Sequence, residues 1–238
     1  MFFSKLKNTV LNTIFPLHCI VCVKEGVGAL CASCMLIMQR TPPCCVICGR
    51  LSPARDGVPA GRTCRPCRRG TSIYGFLSPL RYEEPAVNAL VRELKYRRVK
   101  PLASAAARIL ADYMTTVCPL RFGGESVIVP VPLHARRLRT RGFNQAELIA
   151  QEFAAFTGIT ADTFGLRRIR STASQATLTH KERRANMEGA FRAETKNIAA
   201  RVILLLDDVK TTGATLESAA RALKKAGARQ IWALTLAH

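Results

Sequence analysis

Two groups of residues in this chain have types and spacing suited to chemistry. The first is Val202–Thr215, VILLLDDVKTTGAT, where the adjacent carboxylates of Asp207 and Asp208 precede a short loop of hydroxyl and glycine residues. Two such acids repel each other and would repel a bare phosphate. A ligand carrying both a diol and a phosphate resolves the conflict. Carboxylates accept from hydroxyl groups and attract a hard cation such as Mg²⁺, while the loop holds the phosphate. In that loop the hydroxyls of Thr211, Thr212 and Thr215 add donors to the backbone N–H groups of Lys210–Thr215, Ala214 among them, and Gly213 lets the backbone approach an anion closely. The GxxxxGK[ST] pattern of a Walker loop is absent.

The second group is the cysteines. Nine of the ten lie between Cys19 and Cys67, and eight of these form four C-x2-C knuckles: Cys19/Cys22, Cys31/Cys34, Cys45/Cys48 and Cys64/Cys67. A knuckle presents two thiolates on one side of a tight turn, and two knuckles complete a tetrahedron around Zn²⁺, so four imply two structural zinc ions. The loops between the first and second and between the third and fourth knuckles hold eight and fifteen residues, which makes consecutive pairing simplest and leaves interleaved pairing open. Cys44 and His18 stand beside knuckle residues and could replace them as ligands. Disulfides are the alternative, disfavoured because no secretory signal precedes them, and an iron–sulfur cluster fits the ribbon-like spacing less well. Closed four-thiolate sites bind or brace rather than catalyse.

The elements that must position these groups are legible in the hydrophobic pattern. Val202–Leu206 is a short apolar run without alternation, the mark of a strand buried on both faces of a parallel sheet. The acidic pair then lies at the carboxyl end of a strand, where open α/β sheets bind ligands. From Leu216 to Ala226 the spacing turns helical, and Gly227 is placed to end the helix. Ser126–Val131 reads as another buried strand and Asn144–Phe156 as a helix, with HARRLRTRGFNQ as a basic turn between them. Tyr82–Val117 reads as strand, helix, turn and helix, and Arg167–Phe191 holds no convincing continuous strand. The pattern closes with a strand over Gln230–Leu236, in which Trp232 is a core residue. Cys118 is read as core and His134 as structural. Cysteine all but disappears after Gly70–Ser72, which places a domain boundary there, between 1–70 and 71–238.

Thirty-six basic against sixteen acidic residues give a net charge of +20, which favours polyanionic partners and says nothing about fold. The basic residues gather at Arg136, Arg137, Arg139 and Arg141, at Arg167–Arg170, and around the last two knuckles at Arg50, Arg55, Arg62, Arg65, Arg68 and Arg69. Met1–Leu17 reads as an amphipathic helix packing on the following module. It is too polar for a secretory signal, and no stretch has the length of a membrane span, so a cytoplasmic location is expected.

The Asp207–Thr215 stretch resembles the phosphoribosyl-pyrophosphate (PRPP) signature of type I phosphoribosyltransferases, in which an acidic pair holds the ribose hydroxyls and a TTGAT-like loop the 5′-phosphate. Together with VPVPLHARRLRTRGFNQAELIA, LRRIRSTASQATLTHKERRANMEGAF, KYRRVKPLA and the cysteine-rich start, it makes the whole chain resemble the ComF family, competence protein F and its ComFC and GntX relatives. That resemblance implies an α/β, parallel-sheet phosphoribosyltransferase-like domain preceded by a double zinc ribbon. It implies that PRPP binds with Mg²⁺, with Lys95, Tyr96 and Arg97 in the pyrophosphate-facing loop. A mobile loop within Arg167–Phe191 would then close over the ligand, carrying Arg168, Gln175, Arg183, Arg184 and Asn186.

The resemblance further implies a role in natural transformation or DNA uptake. The expected partners are single-stranded DNA, bound by Arg136, Arg137, Arg139, Arg141, Arg167 and Arg168, and DNA-translocation proteins. Purine-salvage relatives carry a carboxylate where this chain has Thr211, so a purine-salvage reaction is not expected. Phosphoribosyl transfer to another acceptor stays open as the alternative.

Overall fold

The computed structural model describes residues 18–238 apart from 27, 56, 97–99, 118–121, 123, 171–186 and 195–197. The amphipathic segment expected over residues 1–17, Arg97, Cys118 and, in the ligand-covering loop, Gln175, Arg183, Arg184 and Asn186 lie outside the described residues.

The two cysteine modules come first and carry the short helices α1 (Ala32–Ile37) and α2 (Arg65–Arg68). The larger domain then runs through β1 (Gly75–Leu77), α3 (Pro85–Tyr96), α4 (Lys100–Val117), β2 (Ser126–Pro130) and α5 (Ala135–Arg141). It continues through α6 (Gln145–Thr157), β3 (Thr160–Ala161), β4 (Leu166–Arg168) and β5 (Phe191–Ala193). It ends with β6 (Val202–Val209), α7 (Ala214–Lys225) and β7 (Gln230–Ala237). Five strands form one sheet in the order β1-β7-β6-β2-β3, and every pairing in it is parallel. β4 and β5 form a separate antiparallel pair.

The absence of alternation in β6 has the physical reason inferred from sequence. Leu204 and Leu206 belong to the apolar cluster formed with α3, α4 and α6, whereas Ile203 and Leu205 belong to the cluster formed with α7. Both faces of the strand are covered. Trp232 in β7 is buried, and its ring takes the space above Gly75, where a Cβ would come within 2.3 Å of it. Glycine in β1 is therefore a packing requirement.

Strand order makes a crevice at one point. The chain leaves β2 through α6 toward β3 on one side, and leaves β6 through α7 toward β7 on the other, so the connections diverge between β2 and β6. Ligands bind outside the carboxyl ends of strands at such a switch point. β2 ends at Pro130, paired with Leu206, while β6 continues to Val209 along β7. Asp207 and Asp208 thus lie within the strand, beyond the end of β2, rather than after it.

Three other elements differ from the sequence reading. The strand expected near Tyr82 is instead Gly75–Leu77, because pairing with β7 selects the segment that Trp232 can cover. The region Arg167–Phe191 shows no continuous strand in its sequence pattern, yet its two ends pair as β4 and β5. The basic segment after β2 is a helix, not a turn. Among the described residues no helix is long and apolar enough to cross a membrane.

Candidate functional site

The acidic pair sits in the crevice with its two carboxylates in different circumstances. Asp208 is 6% exposed; its Oδ2 lies 3.4 Å from Lys95 Nζ and accepts a hydrogen bond from Gln145 Nε2 at 3.0 Å. Its Oδ1 accepts from the Val209 N–H at 2.8 Å. Asp207 accepts from the Asp208 N–H at 2.8 Å, and burial, followed by the negative charge of Asp208, holds its carboxyl well above the usual carboxylate range. The ammonium of Lys95 stands beside Asp208, so the two neighbouring acids do not share one environment.

The loop that follows leads into α7. Gly213 caps the helix with φ 77°, a left-handed conformation that glycine adopts without a Cβ penalty, and the Ala214 N–H reaches Thr212 Oγ1 at 3.4 Å. The N–H groups of Thr211, Thr212 and Gly213 make no hydrogen bond among the described residues. Thr215 is half-buried in the first turn. Lys210 turns the other way: its Nζ lies 5.5 Å from the centroid of the Phe76 ring, and burial pulls its pKa below the usual lysine value.

The second cysteine module faces this loop. A cleft of about 590 Å³ has Val46, Ile47, Pro66 and Ile73 on one side and Lys210–Ala214 on the other. Glu217, in the first turn of α7, clamps the two parts together. It accepts from Thr71 Oγ1 at 2.5 Å, from the Ser72 N–H at 3.1 Å, and from Arg221 Nε at 3.0 Å.

Across the crevice, α5 begins with His134 Nδ1 accepting from the Arg136 N–H at 3.3 Å and ends at Gly142, φ 78°. His134 therefore has the structural role expected of it. Arg136, Arg137 and Arg139 are exposed, and Arg141 is half-buried with its Nη1 donating to Gln145 Oε1 at 2.6 Å. Arg168 comes close enough to feel both Arg137 and Asp207; burial, then the like charge of Arg137, lowers its pKa against the pull of Asp207. Arg168 thus lies within electrostatic reach of α5 and of Asp207. Arg167, its neighbour on the strand, is directed instead to Glu194 at 3.9 Å. Tyr96 follows Lys95 at the end of α3 and is exposed.

The eight knuckle cysteines form two tetrads, Cys19/Cys22/Cys31/Cys34 and Cys45/Cys48/Cys64/Cys67, each with its sulfur atoms within 4.8 Å of one another. Pairing is consecutive, and Cys44 and His18 take no part. With Zn–S bonds of about 2.3 Å, a tetrahedral site requires sulfur atoms about 3.8 Å apart. Cys22 and Cys31 are 3.8 Å apart, and Cys48 and Cys64 are 3.7 Å apart. Burial pushes the Cys19 thiol up, but N–H groups of Cys22, Cys31 and Val21 outweigh it and bring the pKa down to about 6. Cys45 behaves likewise, at about 7, with donors from Cys48, Cys64 and Ile47. In the same tetrads the contacts of neighbouring sulfurs, Cys31 on Cys34 and Cys64 on Cys67, push those two thiols up to about 12, so it is the close gathering of four sulfurs that suits a metal. Both tetrads fit structural zinc.

Gln145 and Glu217 are the polar residues that sequence reasoning passed over. Gln145 was visible in the GFNQ run as an ordinary helix start, and Glu217 as an acid in a first turn. Neither signal specifies a partner in a remote element.

Comparison with known proteins follows the same division. A phosphoribosyl transferase domain model matches residues 101–238, and a double zinc ribbon domain model matches residues 10–71. The DNA utilization protein YhgH of Salmonella typhimurium is 33% identical over 213 residues, 86% of this chain and 89% of its own length. Competence protein F of Haemophilus influenzae is 39% identical over 114 residues, 46% of this chain and 50% of its own. Competence protein ComFC of Bacillus subtilis is 27% identical over 212 residues, covering 83% and 79%. Among solved structures, a glutamine PRPP amidotransferase from B. subtilis matches 61% of this chain and 30% of its own, at 17% identity and a TM-score of 0.41.

Proposed function

The chain belongs to the ComF family, and from that membership we propose that it handles single-stranded DNA in competence and DNA utilization while its crevice binds a PRPP-type ligand with Mg²⁺. The role in DNA handling is supported by the names of the relatives, competence protein F, ComFC and DNA utilization protein. The observation that carries the ligand reading is the acidic pair and the unpaired loop amides at one end of β6.

Ribose hydroxyls would be accepted by Asp207 and Asp208, and the 5′-phosphate by the loop Lys210–Thr215, at the amino end of the α7 dipole. Mg²⁺, when bound, would be held by Asp207 and Asp208 and would supply positive charge to the diphosphate. Lys95 stands beside Asp208, ready to serve the diphosphate once the carboxylate has another partner. The exposed Arg136, Arg137 and Arg139 of α5, Arg168 and the arginines of the second ribbon supply the electrostatic surface for a strand. Binding is then salt-dependent, with a slope of about 0.7 per neutralised phosphate, and indifferent to sequence.

A second reading, phosphoribosyl transfer, is favoured by the cleft between the second ribbon and the loop, which has room for an acceptor. In that reaction the acceptor's nucleophile forms the bond to the anomeric carbon as the bond to pyrophosphate breaks.

Calorimetry with PRPP and Mg²⁺ tests the ligand reading. The wild type binds, and Asp207→Asn with Asp208→Asn loses binding; equal affinity in the folded double variant would overturn it. Because Asp207 must give up its proton to hold the cation, affinity rises with pH up to the raised value of that carboxyl. In the unliganded protein the sign is opposite. Asp207 holds its proton more tightly folded than unfolded, so its stabilising contribution is full below its ordinary value and is lost as pH climbs toward the raised one. Asp207→Asn removes that loss, and the melting midpoint without ligand rises at neutral pH as ligand affinity falls.

A further inference from the structure

Four arginines lie between Arg136 and Arg141, yet they do not share one environment. Arg136, Arg137 and Arg139 project from α5 into solvent and make no ion pair among the described residues. Arg141 is held. Its Nη1 donates to Gln145 Oε1 at 2.6 Å, and its guanidinium carbon lies 6.0 Å from the centroid of the Tyr96 ring.

Gln145 is only 4% exposed, and its Nε2 donates to Asp208 Oδ2 at 3.0 Å. The orientation of that amide follows from chemistry at both ends. A guanidinium can only donate, so the amide oxygen must face Arg141, which turns the amide nitrogen to the carboxylate of Asp208. Lys95, the residue before Tyr96, lies 3.4 Å from the same carboxylate oxygen. Two cations from different elements therefore converge on the acidic pair, one directly and one through a buried amide.

We infer that Arg141, set in place by Gln145, binds the diphosphate of the phosphoribosyl ligand beside Lys95, and that DNA binding is left to the three exposed arginines of the same helix. This rests on the proposal that such a ligand binds at Asp207 and Asp208. A guanidinium presents a planar fork that matches two oxygens of a phosphate group, and Gln145 engages one of its donors. Fixing that fork before the ligand arrives removes ordering that the complex would otherwise require, and this matters for a small rigid ligand. A flexible strand has no such need and is served by mobile surface charge.

The test measures PRPP with Mg²⁺ by calorimetry and a fluorescent single-stranded oligonucleotide by anisotropy, on the full chain. Arg141→Ala weakens PRPP by about tenfold or more, the loss typical of a hydrogen bond to a charged group, and changes DNA affinity by less than about twofold. Replacing Arg136, Arg137 and Arg139 together by Ala gives the reverse pattern. Gln145→Leu also weakens PRPP, and combining it with Arg141→Ala adds little, because the two residues act as a unit. Arg141→Lys keeps the charge and recovers only part of the affinity; its near-ultraviolet dichroism and melting midpoint serve as the folding control. PRPP binding in the wild type that survives Arg141→Ala unchanged overturns this assignment alone. Wild-type protein that binds no PRPP overturns the ligand reading beneath it as well.

Discussion

The two zinc ribbons share one ligand chemistry and differ in what surrounds it. In the first, Cys19, Cys31 and Cys34 are buried and belong, with Met38, to the apolar cluster that includes α3 and α4. Its neighbourhood between residues 18 and 40 holds two basic residues, Lys24 and Arg40. In the second, Cys64 and Cys67 are half-exposed, Val46 joins the cluster on the α7 side of the sheet, and six arginines surround the knuckles. The same closed tetrahedron braces the core in one place and walls the loop Lys210–Ala214 in the other. Metal coordination sets the shape of each module, and the face on which it packs decides its use.

The largest expected effect sharpens this contrast. Cys31→Ser and Cys64→Ser each lower bound zinc from two equivalents to one, measured by metal analysis. Cys31→Ser also lowers global stability by on the order of 4 kcal/mol or more, as expected when a metal site inside a core is lost. Cys64→Ser leaves the core in place and falls mainly on ligand and DNA binding. Equal losses of melting temperature in the two variants would break the comparison.

A smaller effect separates the surfaces. Replacing Arg65, Arg68 and Arg69 by Ala lowers the salt slope of single-stranded DNA binding by about 2, at about 0.7 for each phosphate that is no longer neutralised. Lys24→Ala in the first ribbon leaves the slope where it was. Anisotropy titrations at several salt concentrations decide it, and a change of similar size in both would show that overall charge, not ribbon placement, governs the DNA surface.

The smallest effect concerns the joint between the second ribbon and α7. Glu217→Gln keeps an acceptor for Thr71 and Ser72 but loses the charge, both for those donors and for the helix amino end, at a cost of about 1 kcal/mol. Denaturant unfolding measures that cost, and calorimetry follows the PRPP affinity, which falls severalfold as the cleft wall loosens. Lost stability with unchanged affinity would mean that the clamp serves the helix alone.

Where chemistry is local, the residues announced it. Cys19 and Cys22 share one turn, so their common task can be read without a fold, and Asp207–Thr215 is one continuous stretch from acids to helix. The buried strand around these acids was legible too, because covering both faces removes alternation. The helix of Ala135–Arg141 was not. At two turns it is too short for periodicity to register, and it forms because His134 and Gly142 close its ends.

By itself, then, the sequence determined the two cysteine tetrads, the acidic pair with its threonine-rich loop, and the parallel-sheet class. Only the tertiary structure decided who meets whom. Gln145 reaches Asp208 across 63 residues of chain, and Thr71 reaches Glu217 across 146. Those meetings follow from strand order. With β2 beside β6, the start of α6 lies over the acidic pair, and with β1 beside β7, the second ribbon reaches the loop Lys210–Ala214. A side chain's propensity depends on its immediate neighbours, whereas the order of strands in a sheet is set by the burial of the whole core, so no single stretch could reveal it.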